Sequence, residues 1–365
     1  VKIATLSNAS VVHTHRWVEH FRSRGHEVRL WSLEPGPPTL RAEPLPALAI
    51  PGVLRYPLAT PALRARLAEF VPDLVDAHFV PNYGLLGALC GRHPLSVTAW
   101  GSDLLVVASR DPFQAARARF VLGRADLVLA DSDNLAAAAR AMGASPGRLH
   151  AIPWGVSRHR FHDGNTREAG LMLSTRMHES VYDLETLIDG AARVMQRRPD
   201  LRLEIAGDGS RRASLERLAG HRLPGGRFRF VGRLTPDALA DSLRRADLYL
   251  SASRSDSTSV SLLEAMACGA LPVVSDLEGN REWVREGEGA RLFAPGDGAQ
   301  LAAALERALG DAAWANAARE RNRSVIAERG DWDRQMARIE SLFENAAGAG
   351  STNPRSAQPA GKRTA

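Results

Sequence analysis

Residues 251–276 read SASRSDSTSVSLLEAMACGALPVVSD, and their order decides the fold. A strand end at Leu248–Ser251 runs into a polar Ser/Thr loop. A helix follows, stopped by Gly269, and then a second buried strand, Leu271–Ser275. Strand, helix and strand in that order form the unit of a parallel α/β layer. Asp256 and Glu264 are separated by seven residues, which puts Asp256 in the loop and Glu264 in the first helical turns. The backbone N–H groups of Thr258–Ser261 are free at the helix start and favour an anion there. A carboxylate accepts two hydrogen bonds at once, which matches the paired hydroxyls of a ribose. The segment therefore suits a nucleotide diphosphate. The alternative is a capped helix with a solvated Glu264.

The same alternation runs through the whole chain. In the first half, strands are expected at Lys2–Leu6, Glu27–Ser32, Leu74–Phe79, Leu95–Trp100, Leu127–Asp131 and Leu149–Pro153. Helices are expected at His15–Arg24, Pro61–Phe70 and Leu135–Met142, and the Pro-rich stretch 34–58 as an irregular loop. In the second half, further strands fit Leu171–Thr175, Leu201–Ala206, Phe228–Val231 and Arg291–Phe293. Helices fit Asp183–Gln196, Ser210–Ala219, Pro236–Arg245, Ser261–Ala267 and Ala299–Leu309. Trp154–Gly170 is polar and reads as a linker, which divides the chain into residues 1–155 and 156–330. Residues 347–365, rich in Gly, Ser, Ala and Pro, are expected to be disordered.

Of 365 residues, 44% are hydrophobic and 24% charged, ordinary values for a folded protein. No apolar run approaches the roughly 18 residues that a membrane span needs. The opening VKIATLSNAS lacks the layout of a signal peptide, so a cytoplasmic protein is expected. Cys90 and Cys268 give neither a disulfide framework nor metal-ligand spacing. The net charge of +6 is carried almost entirely by Arg, with Lys only at positions 2 and 362. Arg64, Arg66, Arg110, Arg117, Arg119 and Arg124 form a candidate basic face in the first half. Such a face suits peripheral contact with an anionic membrane or a phosphorylated acceptor; a merely solvated face is the other reading. Nucleic acid is disfavoured, because aromatics are 6% of the chain and no recognition helix appears. A G-x-S-x-G elbow and a G-x-G-x-x-G after the first strand are both absent, against a serine hydrolase and a dinucleotide-dependent dehydrogenase.

Several stretches then fall in one family's order: KIATLSNASVVHTHRWVEHFRSRGHEV, DLVDAHF, VTAWGSDLL, ADLVLADSDNLAAAARAMGASPGRLHAIPWGV, LRLEIAGDG, FRFVGRL, SLLEAMACGALPVVSD, EGNREWV and GARLFAPGD. Over residues 1–346 the chain resembles a retaining glycosyltransferase of family four. That resemblance implies the GT-B architecture, α/β with two Rossmann-like doubly wound domains facing a central cleft. It implies an acceptor-binding first domain, a nucleotide-sugar-binding second domain, and a final helix at 331–346, anchored by Trp332, that packs back on the first. The activity implied is transfer of a sugar, of the hexosyltransferase type, from a UDP- or GDP-sugar to an acceptor hydroxyl in cell-surface polysaccharide or glycolipid assembly. The acceptor would be a glycan, a lipid-linked sugar or a small molecule. A site at the inner face of the plasma membrane goes with this reading. No cofactor is implied, and no metal, because helix N-termini and basic side chains neutralise the diphosphate.

Residue by residue, the family's Glu-x7-Glu pattern falls on Asp256, beside the donor sugar, and Glu264, on the ribose. Ser257, Thr258, Ser259 and Val260 would meet the sugar and diphosphate, and Arg176 the diphosphate. Gly207, Asp208 and Gly209 would line the nucleotide pocket, with Gly232 and Arg233 flanking the base. On the acceptor side stand His13, Thr14, His78, Trp100 and Asp103. For His78 a satisfied buried histidine is an equal reading, and for Asp103 a helix cap. The chain departs from the family in three places. The loop Asn8–Thr14 lacks a Gly-Gly pair, Trp100 stands where His is common, and the Lys usual five residues after the donor Arg is missing, so Arg176 would carry the phosphate charge alone or with help from Arg211 or Arg254. Two other readings stand beside transfer: an epimerase or phosphorylase on the same fold, and a non-catalytic partner subunit.

Overall fold

The computed structural model describes residues 1–46, 52–164 and 166–351. The chain divides into two compact units. One comprises Val1–Ile152 with the C-terminal segment from Met336, the other Pro153–Gln335.

The first unit is built on a seven-stranded, wholly parallel sheet. Its strands are β1 (Lys2–Leu6), β2 (Glu27–Ser32), β3 (Ala42–Pro44), β4 (Leu74–His78), β5 (Leu95–Thr98), β6 (Leu127–Ala130) and β7 (Leu149–Ala151), in the order β3-β2-β1-β4-β5-β6-β7. Ile3, Ala4 and Leu6 of β1 are all fully buried, so both faces of the strand are covered, as a parallel sheet requires. β1 and β2 have the bounds read from sequence. β4 ends one residue early, because Phe79 turns the chain with φ 65°. β5 ends before the turn at Gly101, where φ is 88°. β3 lies in the stretch expected to be irregular; it is three residues long and at the sheet edge, where Pro44 is tolerated. The helix Pro112–Leu122 was also unforeseen, although Asp111 caps it by accepting from the Phe113 N–H.

The final helix, Trp332–Ser351, starts in the second unit and continues in the first. Phe343, with 0% exposure, stacks on Phe21 at 5.1 Å and meets Trp17 edge-on at 6.2 Å. Glu340 accepts from Arg24 Nε at 3.1 Å and lies 2.8 Å from His26 Nε2. Residues 347–351, expected in a disordered tail, are helical, in keeping with Ala347 and Ala349. Residues 352–365 lie outside those described.

The second unit holds β8 (Leu171–Ser174), β9 (Arg202–Ala206), β10 (Phe228–Gly232), β11 (Leu248–Ser251), β12 (Leu271–Ser275) and β13 (Arg291–Phe293), all parallel, in the order β10-β9-β8-β11-β12-β13. The segment expected as a linker is fastened into this unit. Val156 and Phe161 are buried in its core, and Arg167 donates to the carbonyls of Ala246 and Cys268. Asp163 pairs with both Arg167 and Arg323. The polar residues that suggested a linker are satisfied by each other, and two apolar anchors hold the stretch down. The helix Ala312–Arg329 was not expected from sequence; its exposed positions mix Ala, Asn and Ser with Arg and Glu.

Each sheet reverses its winding once, between β1 and β4 and between β8 and β11. Open α/β sheets bind ligands beyond the carboxyl ends of the strands at such switch points.

Candidate active site

At the β8/β11 switch point, β8 delivers Arg176 and β11 delivers the loop 252–259. Arg176 is 8% exposed. Its Nη1 donates to Ser259 Oγ at 2.7 Å and Ser261 Oγ at 2.8 Å, and its Nη2 donates to Asp256 Oδ2 at 2.7 Å. The guanidinium lies over the Tyr182 ring, 4.2 Å from its centroid. Burial works against its charge, but Asp256, with the phenols of Tyr249 and Tyr182, holds the pKa above the ordinary arginine value. Burial in turn raises the pKa of Asp256, against the pull of Arg176 and the neighbouring serine hydroxyls.

The helix Val260–Ala267 begins on this cluster. Ser259 stands at its N-cap without a side-chain capping bond, its hydroxyl being turned to Arg176. Ser257, Thr258, Ser259 and Glu264 are all buried. Trp283 Nε1 donates to Thr258 Oγ1 at 3.2 Å, and a Cβ on Gly279 would come within 2.2 Å of the Ser257 carbonyl oxygen. The EGNREWV stretch thus seats the Ser/Thr loop from below, and Gly279 leaves no space for a side chain.

Gly207–Gly209 follow β9 and close in from the other side. Gly207 has φ 116° and donates its N–H to the Gly232 carbonyl at 2.8 Å; a Cβ there would lie 2.6 Å from the Arg176 carbonyl oxygen. Gly232 has φ 73°, and Arg233 reaches within 4.0 Å of Asp208. The expected donor-side residues 176, 207–209, 232–233 and 256–264 are therefore gathered at the carboxyl ends of four adjacent strands, β10, β9, β8 and β11. Arg211 and Arg254, suggested as helpers for Arg176, ion-pair instead with Glu185 at 2.6 Å and Asp183 at 2.7 Å. Tyr182 lies in the segment where the family Lys is missing, a Tyr-containing stretch that resembles one branch of the family. Sequence reasoning missed His178, fully buried and edge-on to Phe230 at 5.6 Å. Burial, then Arg212, lowers its pKa.

In the first unit, three of the expected acceptor-side residues are spent on the protein itself. Thr14 is buried, with Oγ1 2.8 Å from Ser7 Oγ. His78 is buried with Nε2 2.9 Å from Asp76 Oδ2, and Asp76 also accepts from Trp17 Nε1 at 2.9 Å. Asp103 is fully buried and accepts from the backbone N–H groups of Val80, Trp100 and Leu104. Desolvation raises its pKa to about 6, although those bonds favour the charged form. Asp76 lies two residues before His78 on β4 and Trp100 three before Asp103, whereas Val80 and Trp17 are brought in from 23 and 59 residues away. Trp100 and His13 are half-buried and stand edge-on at 6.1 Å. The Trp100 indole N–H reaches His78 Nδ1 at 3.3 Å. Of the candidate basic face, Arg64, Arg66, Arg110, Arg119 and Arg124 are exposed, whereas Arg117 is buried.

Among the described residues one group of metal-ligand type converges, His26, Glu340 and Glu344, with ligand atoms within 4.8 Å of one another. His26 lies 314 residues from Glu340, too far for any spacing rule, whereas Glu340 and Glu344 share one helix. Arg24 shares the Glu340 carboxylate, which makes the group an ion-pair tie for the final helix. No helix among the described residues is long and apolar enough to cross a membrane.

A family model described as "Glycosyl transferases group 1" matches residues 160–325, and one described as "Glycosyl transferase 4-like domain" matches residues 8–155. The chain is 33% identical over 197 residues to the phosphatidyl-myo-inositol mannosyltransferase of Mycobacterium tuberculosis (strain ATCC 25618 / H37Rv), covering 52% of this chain and 50% of that one. It is 26% identical over 310 residues to the sulfoquinovosyl transferase SQD2 of Arabidopsis thaliana, covering 77% and 60%. The chain thus spans about half the length of the first of these relatives. Among solved structures, the sucrose-phosphate synthase of Thermosynechococcus elongatus superposes with a TM-score of 0.83 at 21% identity, covering 95% of this chain and 99% of that one. Anabaena Alr3699/HepE in complex with UDP and glucose gives 0.80 at 16%, covering 94% and 99%. At these identities the structures show a shared fold.

Proposed function

Since the chain belongs to the group 1 glycosyltransferases of family four, with their GT-B fold, we propose that it moves a sugar from a nucleotide diphosphate sugar to an acceptor hydroxyl with retention at the anomeric carbon. The observation that carries this reading is the cluster of Arg176, Asp256, Ser259 and Ser261 at the β8/β11 switch point. A guanidinium already aimed by three side chains, beside the N-terminus of Val260–Ala267, suits a diphosphate. Arg176 would take the charge that develops on the leaving phosphate. Glu264 would hold the ribose, Asp256 the donor sugar hydroxyls, and the Thr258–Val260 backbone the phosphate oxygens. The acceptor oxygen bonds to the anomeric carbon as the bond from that carbon to the phosphate oxygen breaks. The departing phosphate takes the acceptor proton. No metal is needed, because Arg176 and the helix N-terminus supply the positive charge.

UDP is the first nucleotide to try, because a structure of the same fold carries it. One relative is named for a phosphatidyl-inositol acceptor, which supports a lipid-linked or cell-surface glycan acceptor here. Arg64, Arg66, Arg110, Arg119 and Arg124, exposed on the first unit, would suit peripheral contact with an anionic membrane. The test is a thermal-shift and calorimetric screen of UDP-, GDP-, ADP- and dTDP-sugars against wild type and Glu264→Ala. One nucleotide class should stabilise the wild type and fail with the variant. Binding of none of them by folded protein would remove the reading.

A further inference from the structure

Glu34, Arg55, Tyr56, Tyr83 and Arg117 come from the connections that leave the carboxyl ends of β2, β3, β4 and β5. That is the end of an open α/β sheet where ligands bind. We propose that these residues form a binding site for one phosphodiester group, held by Arg117 and Tyr56. The site stands on these residues alone; assigning its diester to the acceptor rests on the glycosyl-transfer reading above.

The observation that carries the proposal is a buried charge without a counter-ion. Arg117, on the helix Pro112–Leu122, is 7% exposed. Its Nη1 donates to Gln114 Oε1 at 2.8 Å, but its buried Nη2 has no hydrogen-bond partner. Buried charges are ordinarily paired. Here the carboxylates around Arg117 are committed elsewhere. Asp111 caps the helix, accepting from Phe113 N–H at 2.9 Å. Glu34 pairs with Arg55 and accepts from the Tyr83 hydroxyl. Burial lowers the pKa of Arg117, against Tyr56 and Asp111, yet a guanidinium stays charged.

Tyr56 supplies the second donor. Its buried hydroxyl accepts from Arg55 Nη2 at 3.1 Å, which leaves its own proton to give. Glu34, Arg55 and Arg117 all act on this hydroxyl, so the three charges surround one point. The Tyr56 ring stands edge-on to Tyr83 at 5.2 Å, and the Tyr83 hydroxyl accepts from Leu33 N–H at 2.7 Å, which fixes the pair of phenols. The chemistry selects the ligand. Glu34 neutralises Arg55, and Arg117 is left as one positive charge. A tetrahedral phosphate offers oxygens to Arg117 and Tyr56 from separate directions. Glu34, facing the same hydroxyl, opposes a second negative charge, which favours a diester over free phosphate.

The test is phosphorus NMR on the full chain, with glycerophosphoglycerol as the diester and inorganic phosphate as its rival. The diester should bind wild type more tightly than inorganic phosphate does. It should bind Arg117→Met about tenfold and Tyr56→Phe about fivefold more weakly than wild type. Any contribution of Arg176 is the same in all three proteins, so the differences read this site alone. Without ligand, Arg117→Met should melt no lower than wild type, because it removes a buried charge that has no counter-ion. Equal diester binding by Arg117→Met and Tyr56→Phe overturns the proposal, as does a wild type that binds no diester or prefers inorganic phosphate. A lower Tm of Arg117→Met also overturns it, since the charge would then have its partner within the fold. UDP-glucose is added to the same proteins in parallel. Its failure to bind would remove the glycosyl-transfer reading, while Arg117 still decides the phosphodiester site.

Discussion

Replacing Asp256 by Asn should separate the two tasks of that carboxylate. Asp256 is the counter-ion of Arg176, at 2.7 Å, with side chains only 16% and 8% exposed. Breaking a buried pair by removing one charge costs about 3–5 kcal/mol. Asn retains an oxygen that accepts from Nη2, so the lower end applies, about 3 kcal/mol. For a unit the size of Pro153–Gln335, that loss corresponds to a fall in Tm of roughly 6–12 °C. A diphosphate would bring its own negative charge to Arg176. Added nucleotide diphosphate should therefore raise the Tm of Asp256→Asn by more than it raises that of the wild type. Turnover should fall in the variant, because the donor sugar loses an acceptor for its hydroxyls. Scanning calorimetry with and without saturating UDP and GDP reads both effects. An unchanged Tm in the empty variant, or an equal or smaller nucleotide increment, would refute the counter-ion argument.

Tyr182→Phe should keep the ring under Arg176 and leave kcat/KM within about twofold, whereas Tyr182→Leu should lose about fivefold, mostly in kcat, measured by steady-state kinetics. Gly279→Ala forces a methyl against the Ser257 carbonyl and should cost about 2 kcal/mol in urea unfolding, with weaker nucleotide binding. Asp103, with its pKa raised to about 6, keeps a proton in the native state that the unfolded chain gives up near pH 4. Its contribution is therefore full below pH 3.8 and falls as pH rises through 6, by about 3 kcal/mol in all. Urea titrations at pH 4, 5, 6 and 7 should show that slope in wild type and lose it in Asp103→Asn.

The frame of the protein was legible where local pattern and buried strand coincide. β1, β2, β11, β12 and β13 have the bounds read from sequence, although β2, EVRLWS, mixes polar with apolar residues. The spacing of Asp256 and Glu264 was legible for the same local reason. What escaped was set by distance along the chain. Arg211 and Arg254 looked available until Glu185 and Asp183 proved to hold them. His78 and Asp103 each had two readings in the sequence, and the structure gives both of them protein partners: Asp76, two residues away on the same strand, for His78, and the N–H groups of Val80 and Trp100 for Asp103. Trp154–Gly170 was misjudged because composition weighs Arg and Asp without seeing that they pair.

The way the final helix is shared has a consequence for recombination. Residues 1–152 do not make a transferable module, because the face carrying Trp17, Phe21 and His26 is closed by Phe343 and Glu340 from the far end of the chain. A hybrid that joins the first 152 residues of this chain to the remainder of a relative would inherit a foreign closing helix. Only a double crossover, carrying 336–351 along with 1–152, keeps Phe343 on Phe21 and Glu340 on His26. Sequence exchange within the family should therefore move residues 1–152 and 336–351 together.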